Sequence, residues 1–253
     1  MGTVRYEVRE DVGYLTLDNP PVNIMTQALM DELAEKLATV GADSSLKALA
    51  IGGEGKAFSA GADVGEHEPA RAAGMIASFG RLFRRLEGLE IPVVMAVNGA
   101  ALGAGFELAI MADLLLAAES ATLGQPEIRL GFFAPVGVVE LPALVGRAKA
   151  MEITCTGRSY TAAEMEACGL VSRVVPDNEL PAALETVLKD LRRASPLVMR
   201  LNVRTLKRLR GQPFTAALSE AERVFLDQLM VAEDPREGVA AFYAKRRPEW
   251  RNR

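Results

Sequence analysis

The sequence predicts an α/β fold with a buried sheet and a helical C-terminal part. Two observations predict it. Up to about residue 140, short apolar runs alternate with small-residue loops and helix-period stripes, a strand–loop–helix rhythm repeated several times. Beyond residue 140 extended patterns nearly vanish and helical ones succeed one another. With 253 residues, 49% of them hydrophobic, the chain can bury a large core. It reads as an α/β core over residues 1–195 followed by a helical C-terminal region over 196–253.

The elements follow in order. Val4–Val8 and Val12–Leu17 alternate like the strands of a hairpin turning at Asp11. Asn19-Pro20-Pro21 breaks the pattern. Residues 26–40 carry apolar side chains at 29, 30, 33, 37 and 40, a helical stripe with Thr26 as its N-cap. Lys47–Ile51, Val93–Val97 and Leu114–Ala117 are short buried strands; Pro69–Leu86 and Gly103–Met111 are helices. Helices are then expected over Gly146–Cys155, Thr161–Cys168, Pro181–Arg193, Leu197–Arg210 and Phe214–Ala232, with only Val171–Val175 extended. No convincing sequence repeat is present.

Composition excludes several functional classes. A net charge of −4 argues against a nucleic-acid partner. The two cysteines, Cys155 and Cys168, form no CxxC pair, which fits a reducing, cytoplasmic setting. Met1–Glu10 reads as a strand, not a targeting peptide, and no apolar run approaches the ~20 residues of a membrane span.

Three segments carry chemistry. Gly55-Lys56-Ala57-Phe58-Ser59-Ala60-Gly61-Ala62-Asp63, Ala101-Leu102-Gly103-Ala104-Gly105-Phe106-Glu107-Leu108 and Gly124-Gln125-Pro126-Glu127 each follow an apolar run. Small residues let a backbone N–H approach a ligand oxygen, and Ala60 and Ala104 both sit beside glycine. Glu107 lies in an apolar run reaching Met111, where a carboxylate requires a partner or a task. Glu127 follows Gln125-Pro126 in a turn or at a helix start. Two donors beside two carboxylates suit stabilisation of an oxyanion with proton transfer next to it.

Competing motifs fail. Gly55-Lys56 lacks the upstream glycine and following Ser/Thr of a P-loop, and Gly103-Ala104-Gly105 is not completed to GxGxxG because position 108 is leucine. Ser59 lies in no GxSxG elbow, since position 57 is alanine. His67 is the only histidine, so no metal cluster is built on this residue type, and it reads as a surface or pocket residue. Arg200, Arg204, Lys207, Arg208 and Arg210 form a basic helical cluster, read as a solvated or subunit-facing surface rather than a phosphate or RNA site.

These segments, with Gly157-Arg158, Ala167-Cys168-Gly169-Leu170-Val171 and the stretch from Glu233 to Trp250, resemble the enoyl-CoA hydratase/isomerase (crotonase) superfamily over nearly the whole chain. The resemblance implies a spiral of ββα units with C-terminal helices that assemble a homotrimer or a dimer of trimers. It implies an acyl-CoA thioester substrate and no separate cofactor. The Ala60 and Ala104 N–H groups would hold the thioester oxygen. Lys56, Phe58, Ala60, Gly61, Ala62 and Asp63 would border the CoA. Glu107 would activate water, and Glu127 would exchange the Cα proton. Having both glutamates favours a hydratase over an isomerase or another CoA thioester lyase, and over a non-catalytic CoA- or RNA-binding protein.

One stretch departs from the common fatty-acid hydratases. A bulky Leu130-Gly131-Phe132-Phe133-Ala134-Pro135-Val136-Gly137-Val138 stands where they are glycine-rich. With Asp63–Pro69 it resembles the cyclohexa-1,5-diene-carboxyl-CoA hydratase branch, and it makes Phe132, Phe133, Pro135 and His67 the expected acyl-pocket residues.

Overall fold

The computed structural model describes residues 3–253; Met1 and Gly2, the start of the segment read as a first strand, lie outside the described residues. The chain opens with the hairpin β1 (Thr3–Arg9) and β2 (Val12–Asp18), followed by α1 (Gln27–Ala42). Thr26 caps α1 by accepting from the Leu29 N–H.

Three units then repeat one plan: a long strand, a short strand, a helical segment. The first is β3 (Ala48–Gly53), β4 (Ala57–Ser59) and α2 (Pro69–Glu87). The second is β5 (Val93–Val97), β6 (Ala100–Leu102) and α3 (Ala104–Ile110). The third is β7 (Leu114–Ala118), β8 (Thr122–Gly124), a 3₁₀ turn over Pro126–Leu130 and α4 (Pro135–Thr156). Then come β9 (Ser159–Thr161), α5 (Ala162–Ala167), β10 (Arg173–Val175), α6 (Leu180–Leu191), α7 (Pro196–Leu209), α8 (Phe214–Val224) and α9 (Asp234–Tyr243).

The long strands form one sheet, β1-β2-β3-β5-β7-β10, parallel except for the hairpin. Every residue of β5 is buried, as expected of a parallel strand covered on both faces. The short strands form a second sheet, β4-β6-β8-β9, in which β4, β6 and β8 run parallel as neighbours. That sheet positions the site. Each chemistry-bearing segment runs past the C-terminal end of one of these parallel strands, so the three segments meet at one end of the sheet.

The short strands are absent from the sequence reading because three residues are too few to show alternation. For the same reason β9 corrects the expectation that only Val171–Val175 is extended beyond residue 140. The helix expected from Gly146 begins instead at Pro135 and breaks at Gly146, whose φ of 75° leaves the helical region. Helix α9 has no counterpart in the sequence reading.

The basic cluster on α7 is corrected in part: Arg200 and Lys207 turn inward, while the side chains of Arg204, Arg208 and Arg210 remain 40%, 57% and 45% exposed. Arg200 donates to the Asp43 and Leu46 carbonyls, and Lys207 to those of Glu87 and Leu89. Arg204 reaches Gln228 and Glu90, Arg208 pairs with Glu220, and Arg210 pairs with Glu140. Arg200 and Lys207 fasten α7 to the α/β core, where helix ends and turns leave carbonyls in need of donors. The chain end is tied back as well. The buried Asp234 accepts from Ser195 Oγ at 2.6 Å and from the Arg251 and Asn252 N–H groups. Among the described residues no helix is long and apolar enough to cross a membrane.

Candidate active site

The loop after β4 is set by its neighbours. Buried Asn23 donates to the Ala57 and Phe58 carbonyls, and Ser59 Oγ donates to the Asn23 carbonyl at 2.7 Å. This draws the 22–25 segment alongside, so that Ala60 N–H donates to the Val22 carbonyl at 2.9 Å. That bond corrects the sequence reading of Ala60, because its N–H is already spent on the backbone. The next residues bridge to Met25: Met25 N–H donates to Gly61 O at 2.8 Å, and Ala62 pairs with Met25 as in a parallel sheet. In that geometry the paired residue's own N–H points away from the partner strand. The Ala62 N–H therefore faces the other way and meets no acceptor among the described residues.

Gly61 has φ 103°, and a side-chain carbon there would lie 2.9 Å from the Leu102 carbonyl oxygen and 3.6 Å from Ala104 N. Only glycine allows the two loops to come so close. Ala104 is the first residue of α3, where an N–H has no intrahelical acceptor, and none is supplied among the described residues. Two free N–H groups, from Ala62 and Ala104, thus stand on adjoining loops.

Glu107 is buried within α3 at 2% exposure. Its Oε1 accepts from Val136 N–H at 2.7 Å and Gly137 N–H at 3.0 Å, in the first turn of α4. Helix α4 has no side-chain cap of its own, so Glu107 caps it from outside. Burial pushes the Glu107 carboxyl up to about 8, and the charge of Glu127 adds to the rise while the two N–H bonds oppose it. Glu127 sits in the 3₁₀ turn after β8, and burial raises its carboxyl too, with the charge of His67 acting against. Its Oε2 is buried without a partner. Its Oε1 lies against Gly103, where an added side-chain carbon would be 2.9 Å away.

Glu127 is steadied by a residue that sequence reasoning passed over. Gln125, 1% exposed, donates through Nε2 to the Gly103 carbonyl at 3.0 Å and reaches Glu127 Oε1 at 3.4 Å. The only signal available was an amide between the apolar strand Thr122–Gly124 and a proline.

Most of these groups border a cavity of about 650 Å³, while Glu107 and Gln125 are buried outside its lining. Ala60, Gly61, Ala62, Gly103, Ala104 and Glu127 line it. Phe132, Phe133, Pro135 and His67 line it too, together with Met75, Ile76 and Phe79 of α2. Phe132 and Phe133 are 40% and 67% exposed, so they fill cavity wall and not core. Phe58 is corrected: its ring is fully buried in the core and borders nothing. Lys56 is exposed and lies outside the cavity lining, and Asp63 is taken up in capping the Val64–His67 turn through the Gly65 N–H. Among the described residues no three His, Cys, Asp or Glu side chains gather to hold a metal ion.

The sequence profile of the Enoyl-CoA hydratase/isomerase family matches residues 7–253. The chain belongs to the enoyl-CoA hydratase/isomerase family. It is an enzyme with the crotonase fold. A probable enoyl-CoA hydratase of Rhizobium meliloti is 38% identical over 99% of this chain and 98% of its own. The cyclohexa-1,5-dienecarbonyl-CoA hydratase of Thauera aromatica is 36% identical over 94% of this chain and 92% of its own. The crystal structure of the enoyl-CoA hydratase from Bacillus anthracis superposes with a TM-score of 0.94 at 28% identity, covering 99% of both chains.

The raised Glu107 carboxyl makes stability depend on pH. Between the ordinary value of 4.5 and about 8 the folded chain holds a proton that the unfolded chain has lost. Stability from this group is therefore full below the lower value and falls as pH rises through the window. Glu107→Gln keeps the Oε1 acceptor and has no charge to bury. The melting temperature of the variant relative to wild type should climb between about pH 5 and pH 8. A flat difference across that range would contradict the buried, raised carboxyl.

Proposed function

We propose that this enzyme adds water across the 2,3 double bond of an enoyl-CoA thioester. The observation that carries the reading is the pair of unpartnered N–H groups, Ala62 and Ala104, bordering the same cavity as Glu127 with Glu107 buried behind it. In this reading the thioester oxygen sits between the two N–H groups. Glu107, ionised, takes one proton from water as the hydroxyl oxygen bonds to Cβ. The electron pair of the double bond moves onto the thioester oxygen, where the two donors stabilise it. Glu127, protonated, then delivers its proton to Cα as the enolate collapses. One water is consumed, and exchange with solvent resets both carboxyls without any cofactor beyond the CoA of the substrate. A base raised toward neutrality suits abstraction from water better than an ordinary carboxylate.

The acyl group we propose is a planar ring. Phe132 and Phe133 narrow the cavity and offer flat faces. Similarity to the Thauera aromatica enzyme supports the same reading. Steady-state hydration of crotonyl-CoA and a cyclohexadiene-carboxyl-CoA tests it. The ring substrate should have the higher kcat/KM by about 10–200-fold, the scale of shape discrimination in an apolar pocket. Rapid hydration of crotonyl-CoA with no turnover of the ring ester would defeat the cyclic reading and leave the hydratase intact. No turnover of either would defeat both.

We also propose a homotrimer or a dimer of trimers, working in the cytoplasm, where the two free thiols would stay reduced. Phe214, Leu226, Phe242 and Tyr243 lie exposed on the C-terminal helical elements, a density of apolar surface that monomers rarely leave in water. Light scattering at micromolar concentration should give a multiple of the 27.2 kDa chain mass, and the chain mass itself would rule assembly out.

A further inference from the structure

The cavity holds one polar side chain that the hydration chemistry leaves unused. His67 ends the 3₁₀ turn Val64–His67, which is anchored where Glu66 accepts from the Gln27 N–H at 2.7 Å. Its Nδ1 lies 2.9 Å from the Asp63 carbonyl oxygen. A carbonyl only accepts, so Nδ1 carries the hydrogen, and in the neutral ring Nε2 is left as an acceptor. No residue among those described donates to Nε2. The ring is steadied by Phe132, with centroids 4.9 Å apart and planes tilted by 48°. One ring comes from the turn after β4 and the other from the loop after β8, so the imidazole is held at a fixed place in the cavity.

The surroundings limit what Nε2 can receive. Apart from His67 and Glu127, the side chains lining the cavity are apolar, and no lysine or arginine is among them. Asp63, Glu66 and Glu68 flank His67 along the chain. An acyl group ending in a carboxylate would meet no lysine or arginine in this lining and would approach the Glu127 carboxyl. A wholly apolar acyl group would take water from Nε2 and return no hydrogen bond. An uncharged acyl group bearing a hydroxyl avoids both penalties.

On the acyl-CoA reading above, we infer that His67 is a specificity-determining residue and that the acyl group this pocket selects carries a hydroxyl donating to His67 Nε2. The test separates recognition from turnover. Calorimetry with saturated cyclohexane-carboxyl-CoA and its ring-hydroxylated counterparts reads binding without chemistry. Wild type should bind at least one hydroxylated ester roughly tenfold tighter than the plain ring, the scale of one neutral hydrogen bond in a half-exposed site. His67→Leu should bring that ratio to about one, and His67→Gln, which keeps an acceptor, should hold part of it. Equal affinity of wild type for plain and hydroxylated esters overturns the inference, as does a preference that survives His67→Leu. Tighter binding of a carboxylated ring ester overturns it too. Failure of the hydratase reading appears elsewhere, as absence of turnover for every enoyl-CoA tried, and the binding ratios would still report on His67.

Discussion

Glutamine in place of Glu127 should lower kcat by about 10²–10⁴-fold while the chain stays folded and still binds acyl-CoA. The substitution is nearly isosteric and removes only the transferable proton. Glu127 faces the cavity, and its Oε2 has no protein partner. Its contact with Gln125 Nε2 is a long 3.4 Å, so little of the local packing depends on its charge. The loss should therefore fall on kcat and leave KM within a few-fold, the pattern of an interaction made in the transition state. Glu107→Gln should show a loss of the same order, since water would lack its base. The pair distinguishes reaction types. Hydration needs both carboxyls, whereas moving a double bond needs one group that takes a proton at one carbon and returns it at another. If either single variant turned over enoyl-CoA at near wild-type rate, the two-carboxyl hydration scheme would not stand.

Proline at position 104 should lower kcat by about 10²–10³-fold, the usual effect of deleting one oxyanion donor. Ala104 is the first residue of α3, the helical position that accepts proline best, because its N–H is not used within the helix and its φ suits the ring. The preceding residue is Gly103, with φ 56° and ψ −128°, and glycine tolerates the crowding that proline imposes on its predecessor better than any other residue. Ala104→Gly retains the N–H and should stay within a few-fold of wild type. Circular dichroism and light scattering establish that the proline variant is folded and assembled. If it is both, and also fully active, Ala104 is not an oxyanion donor. The matching substitution at Ala60 reads differently. It would break the 2.9 Å bond to Val22 and unseat the loop itself, so its failure would say nothing about catalysis.

The large sheet was legible in the sequence because β2, β3, β5 and β7 are largely buried runs of five or more residues with a clear apolar signature. Val93–Val97 was bounded to the residue, and the capping role of Thr26 was visible from its side chain and the stripe behind it. The small sheet was not legible, since three-residue strands rich in alanine and glycine look like loops. Its invisibility explains the misplaced donor. Without knowing that the 22–25 segment runs beside Ala60 and Ala62, nothing in Ser59-Ala60-Gly61-Ala62 says which N–H is taken and which is free. The cavity-facing aromatics at 132 and 133 were legible as a departure in bulk. Phe58 was misread because proximity in sequence to a glycine loop says nothing about which side of a strand a ring takes. The inward turn of Arg200 and Lys207 was likewise beyond reach, because backbone carbonyls distant in the chain receive them, and these leave no mark in composition.

The bond from Glu107 Oε1 to the start of α4 ties two traits that evolution or an engineer would prefer to vary separately. Helix α4 begins at Pro135, part of the acyl wall, and its next two residues supply the N–H groups that set how strongly Glu107 holds a proton. A substitution that shifts this turn to admit a different acyl group therefore also retunes the base. Gly137 leaves the least latitude, since a side-chain carbon there would come within 2.5 Å of Gln125 Oε1. Change in substrate range is thus channelled to positions 132 and 133, upstream of the junction, where side chains can be exchanged without touching the carboxyl. The chemistry is inherited as a block, and the substrate is chosen at its margin.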